Sequence, residues 1–232
     1  MDVLKNFRLV DLTHSLDVGA PTWSGGCGFR LEIKLDYEKG LRVQSMKCHA
    51  GVGTHMDAPS HFVPGGKNIG DLEIENFFVP ACVLDLRKKM DPDLFVLPQD
   101  IEEYEKRFGP IPQNALVIAR TGWEKFWTEP LRYRNPDLDG KMHFPGFSEE
   151  AAKLLLRKKI AGIGIDTLSP DGSNTDAFPV HHCILGAGKY ILENLAHLDR
   201  IPETGAYALC LPPKLKSATE AFARVVSLLP IS

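Results

Sequence analysis

The sequence has no CxxC pair, although five cysteines are scattered along its 232 residues. Without a pattern that would activate a thiolate, a nucleophile or ligand role for Cys48 or Cys183 is disfavoured. The odd number of cysteines and the lack of a recognisable secretion signal at residues 1–8 favour reduced thiols. We therefore expect a cytoplasmic protein.

Long apolar runs and concentrated basic patches are also absent. No apolar run approaches the roughly 20 residues of a membrane span, so a membrane is not an expected partner. The net charge of −3 without a basic patch argues against nucleic acid as a partner. Because no internal repeat or low-complexity linker divides the chain, we treat residues 1–232 as a single domain, and the 44% hydrophobic content suffices for a sizeable core.

Apolar periodicity predicts two helices and seven strands. One helix covers residues 100–108 and ends at Gly109, which is followed by proline. The other begins after Ser148, a predicted N-cap, with acidic residues in its first turn. Helices and strands alternate unevenly, which indicates an α/β fold with a mixed sheet. The predicted strands are residues 7–12, 29–37, 41–47, 79–86, 115–120, 160–166 and 206–211.

Three segments carry more detailed predictions. Leu31, Ile33 and Leu35 alternate with charged residues, as in a half-buried strand, whereas residues 116–118 are continuously apolar and predict a strand buried on both faces. Residues 129–147 are irregular and rich in Pro, Asp, Arg and Gly. Such a long irregular segment is either a binding loop or lid, or a surface insertion.

The densest group of potential metal ligands lies in residues 48–62, which read CHAGVGTHMDAPSHF. His55 and Asp57 are two residues apart, so in an extended chain both side chains point to one face and can converge on one ion. Pro59 fixes a turn that can return His61 toward Asp57. The segment predicts a metal centre, and ordinary polar loop residues are the alternative.

Residues 53–62, GTHMDAPSHF, resemble the signature of the metal-dependent cyclase family, which includes bacterial kynurenine formamidases and isatin hydrolases. Weaker resemblances extend over most of the chain. They lie at residues 11–16, 21–23, 121–123, 166–171 and 191–195. The resemblance implies a swivelling β/β/α-like domain, in which a mixed, barrel-like sheet is flanked by helices.

The resemblance also implies roles for individual residues. His55 and Asp57 would be metal ligands, with Asp57 able to bridge two ions, and His61 would be the general acid/base. His181 and Glu193 would complete a second metal site. The apolar neighbours of Glu193 suggest burial, and a buried carboxylate needs a metal or another charge partner to stay ionised.

One position departs from the family. The formamidases carry a first ligand histidine four residues before the residue that matches His55, and here that position is Gly51. His49 lies six residues before His55 and could be a metal ligand if two residues bulge out, which Gly51 and Gly53 would permit. The alternative is a single ion held by His55, Asp57, His181 and Glu193.

The expected activity is hydrolysis of a small-molecule amide, either an aryl formamide such as N-formylkynurenine or a cyclic amide. One or two divalent cations per chain, zinc or manganese, would activate water and polarise the carbonyl, while His61 moves the proton. Trp23 would stack against an aromatic ring of the substrate. Two alternatives stay open: oxygenase chemistry at a mononuclear iron, and a scaffold that has lost its activity. Because family members commonly form dimers or tetramers, we also expect a homodimer or homotetramer.

Overall fold

Thirteen β-strands and four α-helices occur in the part of the chain that this computed structural model describes, residues 3–89, 91–173 and 177–231. The strands are β1 Phe7–Asp11, β2 Phe29–Leu35, β3 Val43–Cys48, β4 His55–Asp57, β5 Phe78–Asp85, β6 Phe95–Val96, β7 Leu116–Arg120, β8 Gly146–Phe147, β9 Gly162–Ile165, β10 Tyr190–Glu193, β11 Ala206–Leu211, β12 Glu220–Phe222 and β13 Arg224–Pro230. The helices are α1 Pro98–Phe108, α2 Pro130–Arg134, α3 Glu149–Arg157 and α4 Pro179–Gly186. None of these described helices has the length and apolar character needed to cross a bilayer.

Nine strands form one mixed sheet, in the order β1-β13-β11-β5-β7-β9-β10-β4-β12. The central strands β5, β7, β9 and β10 run parallel to one another. The strands on both sides of this centre pair antiparallel. The predicted α/β class with a mixed sheet is therefore confirmed.

Both faces of the central sheet are buried. In β7, Val117 packs into an apolar cluster with residues of α1, α3 and α4, whereas Ile118 packs into a second cluster that includes β11 and β13. All five residues of β7 are buried, which confirms the prediction for residues 116–118. Burial of each such aliphatic side chain contributes about 1.5–3 kcal/mol to folding. The sheet is thus packed on both faces at its centre and supports the strands β10, β4 and β12 that follow on one side.

The predicted helices and strands are present, with strand ends displaced by at most two residues. The first predicted helix begins two residues earlier, at Pro98. At the second helix, the Ser148 side chain accepts a hydrogen bond from the Ala151 N–H, which confirms the predicted N-cap.

Strands β2 and β3 form a separate ribbon outside the nine-stranded sheet. Leu31, Ile33 and Leu35 are 53%, 49% and 40% exposed. The prediction of a half-buried strand is therefore wrong for the single chain, because the ribbon stands apart from the sheet and these side chains do not reach its core.

The irregular segment 129–147 is anchored to the body of the protein. Tyr133 and Phe144 are fully buried in a cluster with Trp123 and Leu168, whereas Leu138 at its tip is fully exposed. The segment therefore combines an exposed tip with a packed base, and its base lies close to the predicted site through the edge contact of the Phe144 and Trp23 rings.

The imidazole of His14 lies flat on the Trp127 ring, with centroids 4.0 Å apart and planes 9° apart. Burial, followed by the charge of nearby His197, lowers the pKa of His14 from 6.5 to about 4. Between these two pH values the unfolded chain binds a proton that the folded chain does not bind. The stability contributed by neutral His14 is therefore present above pH 6.5 and falls as the pH drops toward 4.

Replacing His14 with Phe is expected to flatten this acid-induced loss of stability. The Phe side chain keeps an aromatic stack on Trp127 but has no group to protonate. Between pH 7 and pH 4.5 the variant should lose about 2 kcal/mol less unfolding free energy than the wild type, measured by urea denaturation. Equal losses in the two proteins would contradict the lowered pKa of His14.

Candidate metal centre

The site is built on β4, which lies between β10 and β12. His55 pairs with Glu193 of β10, and Asp57 pairs with Glu220 of β12. Residues that lie opposite each other share a face of the sheet, as do residues two apart, so all four side chains point to the same side. Met56, between the two ligand candidates, is fully buried in the core on the other side.

His55, Asp57, His181 and Glu193 form a ring in which imidazoles and carboxylates alternate. The Nε2 atom of each histidine lies 3.5 Å from an Asp57 oxygen and 3.2 Å from a Glu193 oxygen. Two ligands that each lie about 2.1 Å from a tetrahedral ion are about 3.4 Å apart. The four neighbouring separations lie close to that value, and each histidine faces its own oxygen of Asp57 and its own oxygen of Glu193.

Hydrogen bonds orient both imidazoles of the ring. Nδ1 of His55 donates to the Gly53 carbonyl at 2.8 Å, and Nδ1 of His181 lies 2.5 Å from an Asp171 oxygen. Asp171 also accepts the N–H of Val180, at the start of α4, which carries His181. Such partners fix the ring orientation and leave Nε2 free for a metal.

The charges of the ring favour a cation. Neither carboxylate oxygen of Asp57 makes a hydrogen bond of good geometry, although the side chain is 1% exposed. Burial lowers the pKa of His55, but Asp57 and Glu193 outweigh it and raise the pKa to about 10. Burial also lowers the pKa of His181, whereas the surrounding carboxylates of Asp171, Asp57 and Glu193 raise it well above 6.5 overall. The residues present therefore fit a divalent metal ion.

Two groups of donors share Asp57. One donor atom each from Asp57, His61 and His181 lies within 4.8 Å of the others, and the same holds for His55, Asp57 and Glu220. Because Asp57 Oδ1 faces His55 and Oδ2 faces His181, the carboxylate is placed to serve both sides. Glu193 belongs to neither group, and its ligand role and the bridging role of Asp57 stay predictions.

His61 reaches the site through a 3-10 turn, Pro59–His61, that follows β4 directly. Pro59 occupies the start of this turn, as the sequence suggests, and the His61 side chain is 30% exposed. Its Nε2 lies 3.4 Å from Oε2 of Glu220. His61 therefore borders both the ring and the solvent.

A cavity of about 450 Å³ opens above the ring, and His49 and Trp23 line its wall. His49 is exposed and belongs to neither of the two donor groups found among the described residues, so its role as a ligand stays a prediction. Trp23 is 42% exposed and its ring lies 5.8 Å from that of Phe178. Phe62 stacks on the His181 ring at 4.4 Å. The cavity thus has an aromatic wall above a charged floor.

Glu220 and Asp171 are two neighbours of the ring that the sequence does not predict. Glu220 stands alone in a three-residue strand and carries no signal, since only the pairing of β12 with β4 brings it to the site. Asp171 does carry a signal, because it ends the family-like block 166–171, ten residues before His181.

Replacing Asp171 with Asn is expected to weaken metal binding by about 10- to 100-fold, because the neutral amide no longer raises the basicity of His181. Calorimetric titration of the metal-free protein with Zn²⁺ measures this change. Asp93→Asn is a matched control, since Asp93 makes a similar contact of 2.7 Å to the partly buried ring of His143. Equal affinities for the two variants would contradict a supporting role for Asp171.

Comparison with known proteins agrees with the geometry. Residues 10–172 match the family described as putative cyclases. The isatin hydrolase of Roseibium aggregatum is 32% identical over 77% of this chain and 71% of its own length. The kynurenine formamidase of Bacillus cytotoxicus is 26% identical over 96% of this chain and 98% of its own.

The fold has a similar match among solved structures. Isatin hydrolase A from Labrenzia aggregata, bound to benzyl benzoate, superposes with a TM-score of 0.90 and 32% identity. The superposition covers 99% of this chain and 96% of that one, which confirms the expected swivelling β/β/α-like fold. The chain belongs to the cyclase family, as the signature at residues 53–62 predicts.

Proposed function

We propose that this protein is a metal-dependent hydrolase that cleaves the C–N bond of a small aromatic amide. The observation that carries the proposal is the Asp57 carboxylate, which is buried without hydrogen bonds between the Nε2 atoms of His55 and His181, at the floor of a cavity. The similar proteins are named isatin hydrolase and kynurenine formamidase, which favours hydrolysis over the oxygenase alternative.

The proposed cofactor is zinc or manganese, with one or two ions per chain, because a mixed set of imidazoles and carboxylates suits both metals. His55, Asp57, His181 and Glu193 would hold it. When bound, such a cation supplies water that ionises near neutral pH and a positive charge that polarises a carbonyl. A second ion would depend on the donors that flank Asp57 on either side.

His61 is proposed to move the protons. The His61 side chain lines the cavity, where its imidazole would face both the attacking water and the substrate nitrogen. As a general base it takes a proton while the water oxygen bonds to the carbonyl carbon. As a general acid it returns that proton to the nitrogen as the C–N bond breaks, which leaves a carboxylic acid and an amine.

The cavity supports an aromatic substrate. Its volume of about 450 Å³ lies within the range of small-ligand sites, about 300–1,000 Å³. The rings of Trp23, Phe62 and Phe178 line it, so a flat aromatic ring can stack there while the amide carbonyl faces the charged floor. Both a cyclic amide fused to an aromatic ring and an aryl formamide meet these requirements.

We also propose that the protein is a homodimer or homotetramer in the cytoplasm, with a small molecule rather than a nucleic acid or a membrane as its partner. The exposed apolar side chains of β2 and β3 support self-association. The five cysteines are free thiols, as in proteins of a reducing cytoplasm. Since His49 directly follows β3, a subunit bound to this ribbon would lie close to the cavity. Analytical ultracentrifugation tests this proposal, and a monomer at micromolar concentration would refute it.

The activity is tested with isatin and N-formylkynurenine as substrates, before and after verified removal of all metal. We expect hydrolysis of at least one of them, its loss after chelation, and its recovery with Zn²⁺ or Mn²⁺. Hydrolysis that survives complete metal removal would refute the proposal. Oxygen uptake would favour the iron oxygenase, and a metal-replete preparation without stoichiometric metal would favour the inactive scaffold.

A further inference from the structure

Glu220 lines the same cavity and belongs to one of the two donor groups, but it is not among the four residues proposed above to hold the metal. Strand pairing places it opposite Asp57, on the same face of the sheet. One donor atom each from His55, Asp57 and Glu220 lies within 4.8 Å of the others. An imidazole and two carboxylates at this spacing form a donor set of the kind that binds zinc or manganese.

The Glu220 carboxylate fills the space above Gly51. A Cβ atom added at position 51 would lie 3.0 Å from both carboxylate oxygens of Glu220. The φ angle of Gly51 is not positive, so the backbone conformation there does not itself require glycine. What glycine provides at this position is the absence of a side chain, and Glu220 occupies the vacated volume.

We propose that Glu220 is a metal ligand that completes a cation site with His55 and Asp57 over Gly51, in place of a side chain at position 51. The inference rests on the proposed function, since it adds a ligand to that centre. A second observation points to a cation: both oxygens of Asp57 are buried without hydrogen bonds, and one of them faces His55. In this arrangement His49 is not needed as a ligand.

The contact between Glu220 and His61 offers a different explanation. Oε2 of Glu220 lies 3.4 Å from Nε2 of His61, so the carboxylate could act on the imidazole alone. The two explanations predict different metal affinities for a variant in which Glu220 is neutralised. A partner of His61 alone would leave cation binding unchanged when it is neutralised, whereas a ligand would not.

The test is calorimetric titration of the metal-free full chain with Mn²⁺, together with the electron paramagnetic resonance spectrum of the bound ion. Glu220→Gln and Glu220→Gly are compared with the wild type and with Glu73→Gln, which neutralises an exposed carboxylate paired with Lys67. The fourth protein is the double variant Gly51→His with Glu220→Gly, called the exchange variant. It removes the Glu220 carboxylate and places an imidazole at position 51, next to the space that the carboxylate occupied. Circular dichroism and thermal unfolding establish that each variant is folded.

We expect both single Glu220 variants to bind Mn²⁺ at least about 10-fold more weakly, with an altered spectrum, and Glu73→Gln to match the wild type. The exchange variant should recover most of the lost affinity. Wild-type affinity in Glu220→Gln, or an exchange variant that binds no better than Glu220→Gly, would overturn the inference alone. A wild-type chain that binds neither Mn²⁺ nor Zn²⁺ would instead overturn the proposed function.

Discussion

Replacing Asp57 with Asn is expected to lower metal affinity by more than about 1,000-fold, since the loss of groups that merely orient ligands already costs up to about 100-fold. Asp57 is the only residue common to both donor groups found in the described part of the chain, and its two oxygens face different histidines. Neutralising it removes charge from both sides of the centre at once. Hydrolysis should fall to background with the metal.

Metal content by mass spectrometry and Zn²⁺ titration measure the effect of this substitution. Asn has nearly the shape of Asp, so the buried position is refilled without a cavity. Asp11→Asn is the control, because Asp11 is a partly exposed carboxylate paired with Arg224. An Asp57→Asn protein that still holds stoichiometric metal would show that the cation is bound elsewhere.

Replacing His61 with Ala is expected to reduce kcat by about 100- to 10,000-fold while metal stays bound, because the variant loses proton transfer and keeps the ring of four ligand candidates. The 30% exposed side chain at the cavity wall suits a group that exchanges protons with solvent and substrate. Turnover and metal content are measured on the same preparation, across pH.

Two other outcomes of the His61→Ala experiment would change the role of His61, which also belongs to a donor group with Asp57 and His181. Loss of the metal together with activity would make His61 a ligand instead of the acid/base. Full activity would remove it from the mechanism. His182→Ala is the matched control, since this exposed histidine also lies beside Phe62, with its ring 5.0 Å away, and belongs to neither donor group of the described residues.

The larger elements of the fold could be predicted because each has a strong local signal. The continuous apolar run of β7 and the N-cap of α3 are examples. Strands β4 and β12 have three residues each, too few for any periodic pattern, and they form through pairing with distant segments. For β2 the alternating pattern correctly predicts a strand with one apolar face. The pattern does not show whether other residues cover that face, and in the structure it is exposed.

The site could be predicted only where its residues are neighbours in the sequence. The spacing of His55 and Asp57 is enough to place both side chains on one face. His181 and Glu193 come from separate elements, α4 and β10, so the family resemblance is needed to connect them. Neither sequence spacing nor the family resemblance predicts Glu220, because its contact with the site depends on strand register alone.

All of the roles proposed for this site depend on a divalent cation held around Asp57. Diffraction data from crystals grown with Mn²⁺, collected where manganese scatters anomalously, test it directly. We expect a strong anomalous peak about 2.0–2.2 Å from an Asp57 oxygen and from Nε2 of His55 or His181. Ordered Asp57, His55 and His181 side chains with no anomalous peak among them would contradict it.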